Sequence, residues 1–160
     1  MAWSLMALIL KIISGGQAGA DRAALDFAIE SGMEHGGWCP RGRKAEDGPV
    51  PARYLLEETE SANYRARTVR NVVESDATLI LNMGELAGGS LETLRVAEPR
   101  SKPVRVVQLD SALSDQDVAG LREWLQSAKV QTLNVAGPRE SKRPGTYHAT
   151  LALLRRVFNP

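Results

Sequence analysis

Short apolar runs recur along the chain at Ala7–Ile13, more weakly at His35–Cys39, then at Ala77–Asn82, Val104–Leu109 and Thr132–Ala136. Between them the apolar positions fall at helical spacing. Ala24, Leu25, Ala28 and Ile29 share one helix face, and Gly32 is placed to end that helix. A second helix is expected over about Ala62–Glu74, with Tyr64, Thr68, Asn71 and Val72 on one side. A third should begin near Ser90 and stop before Pro99, because proline disfavours helix in the residue ahead of it. Ser114 with Asp117 forms a capping pair for a fourth helix whose face is Val118, Leu121, Trp124 and Leu125. The last, about Thr146–Phe158, buries Leu151, Leu154 and Phe158. Strands alternating with helices predict βαβ units, so the expected fold is α/β: one domain over 1–160, with a mainly parallel sheet of about five strands flanked by helices.

Two segments depart from this alternation. The opening MAWSLMALIL is almost wholly apolar, yet it falls short of the roughly 18 residues that span a bilayer. It also lacks a basic stretch ahead of the apolar run. It therefore reads as the approach to a buried first strand, and its Trp3 points to self-association. Pro40–Ser61 has no helical or strand period. Stretches of that length are uncommon inside a compact domain unless they serve a function, and Pro49 and Pro51 favour an ordered lid or rim.

Composition narrows the function classes. With 20 Lys+Arg against 19 Asp+Glu, the formal charge is +1. This gives no global attraction to nucleic acid or to an anionic membrane, so any anion site must be local. The single cysteine, Cys39, excludes an internal disulfide and fits a reducing, cytoplasmic setting. It reads as a buried structural residue, the alternative being a soft metal ligand, and it has no Cys partner for a zinc site.

The candidate chemistry lies in loops. ISGGQAGADR follows the first strand and brings Gly15, Gly16, Gln17 and Gly19 to a helix whose first turn carries Asp21 and Arg22. Glycines let backbone N–H groups approach a ligand closely, and a helix N-terminus adds free donors, which together make an anion seat. The spacing fits neither a P-loop nor the G-x-G-x-x-G fingerprint. Two further loops, after the third and fifth strands, supply Gly88, Gly89, Ser90 and Thr93, and Gly137, Arg139 and Ser141. In open α/β sheets, ligands bind at the carboxyl ends of strands where strand order reverses, so the three loops should meet there. Arg41, Arg43 and Lys44 in the Pro40–Ser61 segment are candidate phosphate partners, and Trp38 a candidate stacking residue. Asp21, Asp47, Asp76 and Glu85 are the acids expected to face the crevice. There they would bond a ribose or pterin edge, hold Mg²⁺ beside a phosphate, or act as a base. For Asp21, stabilisation of its own helix is a competing role.

SGGQAGADRAALDFA, GGWCPRGRKAEDGPVPARY, SDATLILNMGELAGGS and LNVAGPRES resemble the signatures of the molybdenum carrier family. That group belongs to the Rossmann-like proteins related to lysine decarboxylase-like (LOG), YpsA and DprA proteins. The resemblance spans nearly the whole chain. It implies a Rossmann-like three-layer fold, a homo-oligomer (dimer or tetramer), and molybdenum cofactor (molybdopterin) or a nucleotide above the sheet. The cytokinin-activating relatives resemble P-G-G-x-G-T-x-x-E in the second glycine loop. AGGSLETL departs from that, with Glu92 near the acidic position but out of register. The expectation is thus a carrier that binds a small phosphate-bearing ligand. The alternative is a nucleotide hydrolase, with Asp21 and Glu92 as its candidate catalytic residues. DprA-like binding of single-stranded DNA is disfavoured by the charge balance.

Overall fold

The structure, a computed structural model, describes residues 8–159. In chain order its elements are β1 (Lys11–Ile13), α1 (Ala20–Glu30), β2 (Glu34–Gly36), β3 (Trp38–Cys39), β4 (Glu57–Glu58), α2 (Tyr64–Val73), β5 (Ala77–Asn82), α3 (Gly88–Ala97), β6 (Val104–Gln108), α4 (Asp115–Ser127), β7 (Thr132–Ala136) and α5 (Thr146–Phe158). A short 3₁₀ turn, Glu98–Arg100, follows α3. The main sheet has five parallel strands in the order β2-β1-β7-β5-β6. This is the expected Rossmann-like α/β architecture.

Burial explains the layers. Every residue of β5, the longest strand, is buried, as a parallel sheet covered on both faces requires. Ala24, Phe27 and Ala28 of α1, Leu121 and Leu125 of α4, and Leu154 and Phe158 of α5 pack with Leu79, Leu81 and Leu133 in one core. Val72 of α2 and Val96 and Ala97 of α3 form a separate cluster with Val104 of β6. Because Val104 and Val107 have opposite strand parity, and Val107 packs on the first cluster, these cores lie on opposite sheet faces.

Several boundaries follow local chemistry. The Ser114–Asp117 capping box closes at both bonds. The Asn63 side chain accepts from the Arg65 amide at 2.9 Å and sets the start of α2. Helix α3 starts at Gly88, so both glycines lie in its first turn instead of preceding it.

Three expectations need correction. The first strand is limited to Lys11–Ile13, because its partners begin at Glu34 and Thr132. Leu8 and Leu10 lie outside the ladder and are exposed, while Trp3 and Ala7 lie outside the described residues. The run His35–Cys39 is two strands, not one. It breaks at Gly37, whose φ is +122° and where an added Cβ would stand 2.3 Å from the Ser14 carbonyl oxygen. Beyond the break, β3 leaves the main sheet and pairs in parallel with β4, a strand the sequence pattern does not reveal. Asp76, finally, does not face the crevice. Its Oδ2 accepts from the Gln131 and Thr132 amides at 3.0 and 2.8 Å and so anchors the amino end of β7, at the opposite edge of the sheet.

Gly37→Ala forces a Cβ against backbone in a conformation that side chains rarely adopt. Urea denaturation should report a loss of about 1–3 kcal/mol, the range for overpacked sites.

Candidate functional site: a donor-lined crevice at the carboxyl edge of the sheet

Strand order reverses at β1, β7 and β5, which are neighbours, so the three glycine-bearing loops emerge side by side. Two of them interlock. Gly19 forms an antiparallel bridge with Arg139, and the Glu140 amide donates to the Ala18 carbonyl at 3.0 Å. Together the loops line a crevice of about 240 Å³ bounded by Gln17, Arg67, Ser90, Gly137 and Arg139. A smaller adjoining hollow of about 40 Å³, which shares Arg67, Gly89 and Gly137 with it, is lined also by Gly15, Asp21, Thr93 and Asn134.

Arg67 joins the two spaces. It reaches from α2 across Gly15, where an added Cβ would stand 1.5 Å from its Nη1. A side chain at Gly15 would therefore have to displace the guanidinium. Nη1 donates to Asp21 Oδ2 at 3.0 Å, and both side chains are largely buried. Burial pushes the Asp21 carboxyl above its ordinary range, against the pull of Arg67 and of the Gln17 amide. Asp21 Oδ2 also accepts from the Gln17 amide at 3.3 Å, so Asp21 ties Arg67 to the first glycine loop.

Three buried donor atoms lining the crevice lack a partner: Gln17 Nε2, Arg67 Nε and Ser90 Oγ. Buried polar atoms are rarely left unpaired, and each costs roughly 1–3 kcal/mol. Here they belong to residues from three separate elements that line one space. Thr93 also lines the lower hollow, but its hydroxyl donates back to the Gly89 carbonyl at 2.8 Å.

The Pro40–Ser61 segment is an ordered rim. Arg22 forks onto Asp47 with two contacts of 3.1 Å, and also donates to the Gly16 carbonyl. That pairing holds the Asp47 carboxyl below its usual range. Arg43 donates to the carbonyls of Val50, Leu56, Pro51 and Tyr54. Tyr54 and Tyr147 both donate to Asp26; burial, together with its own bond to Asp26, pushes the Tyr147 phenol up to about 12. The Glu46 amide donates to Gln17 Oε1 at 2.8 Å, and its carboxylate accepts from Ser141.

The expected residues therefore separate into groups. Gly15, Gln17, Asp21, Gly88, Gly89, Ser90, Thr93, Gly137 and Arg139 line the two spaces. Gly16, Gly19, Arg22 and Arg43 build the walls. Arg41 is exposed on the rim. Glu92 pairs with Arg65 and Asp47 with Arg22, whereas Glu85 does line the crevice. Trp38 lies under Arg70, 4.0 Å from ring centre to guanidinium, in a separate groove of about 920 Å³. Cys39 is buried, and burial raises its thiol pKa. Among the described residues no group of His, Cys, Asp and Glu could hold a metal ion, and no helix is long and apolar enough to cross a membrane.

The sequence reading missed Arg67, Asn134, Lys142 and Arg143, all of which line the site. Asn134 had a signal, as an amide inside an apolar strand that must find a partner; it donates to Thr78 Oγ1 at 3.3 Å. Arg67 had none, because its role comes only from the tertiary approach to Gly15.

Comparison with known proteins agrees with the fold. The profile of the circularly permutated YpsA SLOG family matches residues 12–158. The crystal structure, at 1.45 Å, of a "putative molybdenum carrier protein" from Syntrophus aciditrophicus is 47% identical, with a TM-score of 0.91 over 94% of this chain and 95% of the other. No curated protein matches the chain.

Because Asp21 is carried buried beside Arg67, removing the cation leaves an uncompensated charge. Arg67→Met should lose about 3–5 kcal/mol at pH 7. A carboxyl whose folded pKa is raised contributes stability at low pH that is lost as pH rises through that pKa. The variant should accordingly recover part of its loss as pH falls from 7 toward 5, measured by urea denaturation at each pH.

Proposed function

The chain belongs to the circularly permutated YpsA SLOG family, and on that footing we propose that it is a carrier that binds a phosphate-bearing ligand in the crevice over β1, β7 and β5. One observation carries this reading: Gln17, Arg67 and Ser90, each with a buried donor that has no partner, line the same space as Arg139, Lys142 and Arg143. Such a set offers hydrogen bonds and positive charge to an oxyanion. The cargo, molybdenum cofactor or a related pterin or nucleotide, is taken from the relative's name. The donors fit the phosphate end of such a group. They offer its metal no ligand, since Cys39 is fully buried and outside the crevice, so the metal would stay on the sulfurs of the pterin.

A hydrolytic role for Asp21 and Glu92 has less support, because the two carboxylates do not share a space and each has an arginine partner. Self-association belongs to the proposal through the exposed Leu8 and Leu10, where the apolar N-terminus meets the described fold.

Gly89 gives a clean test. An added Cβ there meets nothing within 4 Å, and an acid in the first turn of a helix is tolerated or mildly stabilising. Gly89→Asp should keep the wild-type melting temperature yet weaken binding of inorganic phosphate by more than about tenfold in calorimetry, as expected for a carboxylate set against an anion seat. Unchanged phosphate binding, or none in the wild type, would refute the proposal.

A further inference from the structure

Tyr64, the first residue of α2, has three cations from three segments around its ring. Lys44 Nζ of the rim lies 4.6 Å from the ring centre, the Arg67 guanidinium 5.3 Å and that of Arg139 5.4 Å. Cation–π attraction explains one or two such neighbours on a ring; three share it only against mutual repulsion. Two of them have acidic partners. Arg67 is paired with Asp21, and Arg139 meets Glu46 at 4.0 Å, a loose contact at the limit of an ion pair. Lys44 has no carboxylate partner among the described residues and is exposed. The cluster thus holds one charge more than its acids balance, beside a crevice that already contains unpartnered donors.

The cluster and the inner donors are continuous but distinct in place. Ser90 and Gly89 line the crevice, Arg67 and Arg139 line it and also stand on the Tyr64 ring, and Lys44 reaches that ring from the rim. Gln17 sits at that junction, 4% exposed, with Oε1 taken by the Glu46 amide of the rim and Nε2 unpartnered.

We propose that Lys44, Tyr64 and Arg139 form an outer anion seat, so that the crevice takes ligands of the pyrophosphate class, with one phosphate at the inner donors and the linked second phosphate at the Tyr64 cluster. The inference rests on the anion-binding reading above and deepens it. A ligand bearing a single phosphate would engage the inner donors alone. Because Lys44 belongs to the rim, a second phosphate would also bond the rim to the sheet edge.

The test uses the full chain and two probes, inorganic phosphate and inorganic pyrophosphate, titrated by calorimetry at equal ionic strength. The wild type should bind pyrophosphate at least about tenfold more tightly, the gain from one added charge-assisted contact. Lys44→Ala should collapse that ratio to about twofold or less, and Lys44→Arg should restore it. Lys129→Asn, which removes one charge at the opposite edge of the sheet, should leave the ratio intact and so separates a local seat from general attraction. Melting temperatures check that each variant is folded. Phosphate binding with no preference for pyrophosphate, or a preference indifferent to Lys44→Ala, overturns the outer seat while leaving the inner one standing. Binding of neither probe overturns both.

Discussion

Parallel strands all finish at one edge of a sheet, and wherever their order reverses, the loops they launch must diverge around a gap. In this chain β7 returns between β1 and β5, so that constraint brings together loops that are far apart in sequence. The Arg67–Asp21 pair lines the smaller hollow in that gap. Its buried charges are tolerable only together. The guanidinium stands where a Gly15 side chain would be, Asp21 holds it, and its Nε is buried without a partner.

Walls and donors are made by different residues. Arg22 and Arg43 spend their guanidinium hydrogen bonds on Asp47 and on backbone carbonyls, fixing the Pro40–Ser61 rim against the first glycine loop. Asp26, gripped by two phenols, fastens the same rim to α1 and α5. A rim held at several points restricts the loops beneath it, and pre-ordering of that kind lowers the entropy lost when a ligand binds. Gln17 links the layers, since one amide oxygen holds the rim while the nitrogen of the same side chain is left to the crevice.

Much of this was legible in the sequence. Strands Ala77–Asn82 and Thr132–Ala136 and helix Thr146–Phe158 were expected with their observed limits, because in each the apolar period and the flanking residues agree. The break at Gly37 was hidden, since only the nearness of the Ser14 backbone makes glycine necessary there. The three glycine loops meet at one sheet edge as expected, but the sequence does not say which charged residues join them. Charged residues close in sequence, such as Arg22, Arg43 and Asp76, are consumed by local structure, whereas the arginine lining the smaller hollow comes from a helix more than forty residues further on, with Arg67 and Asp21 separated by 46 positions. Local pattern reports what a segment needs for its own folding; a binding site collects what folding leaves unpaired.

The central claim is that backbone and side-chain donors of three separate loops act on one anion. Amide-resolved NMR titration of the ¹⁵N-labelled chain with inorganic phosphate addresses it most directly. The account predicts that the amides of Gly15, Gly89, Ser90 and Gly137 shift together and saturate along a single binding curve. Shifts confined to exposed lysine and arginine positions, or curves that differ from loop to loop, would contradict it.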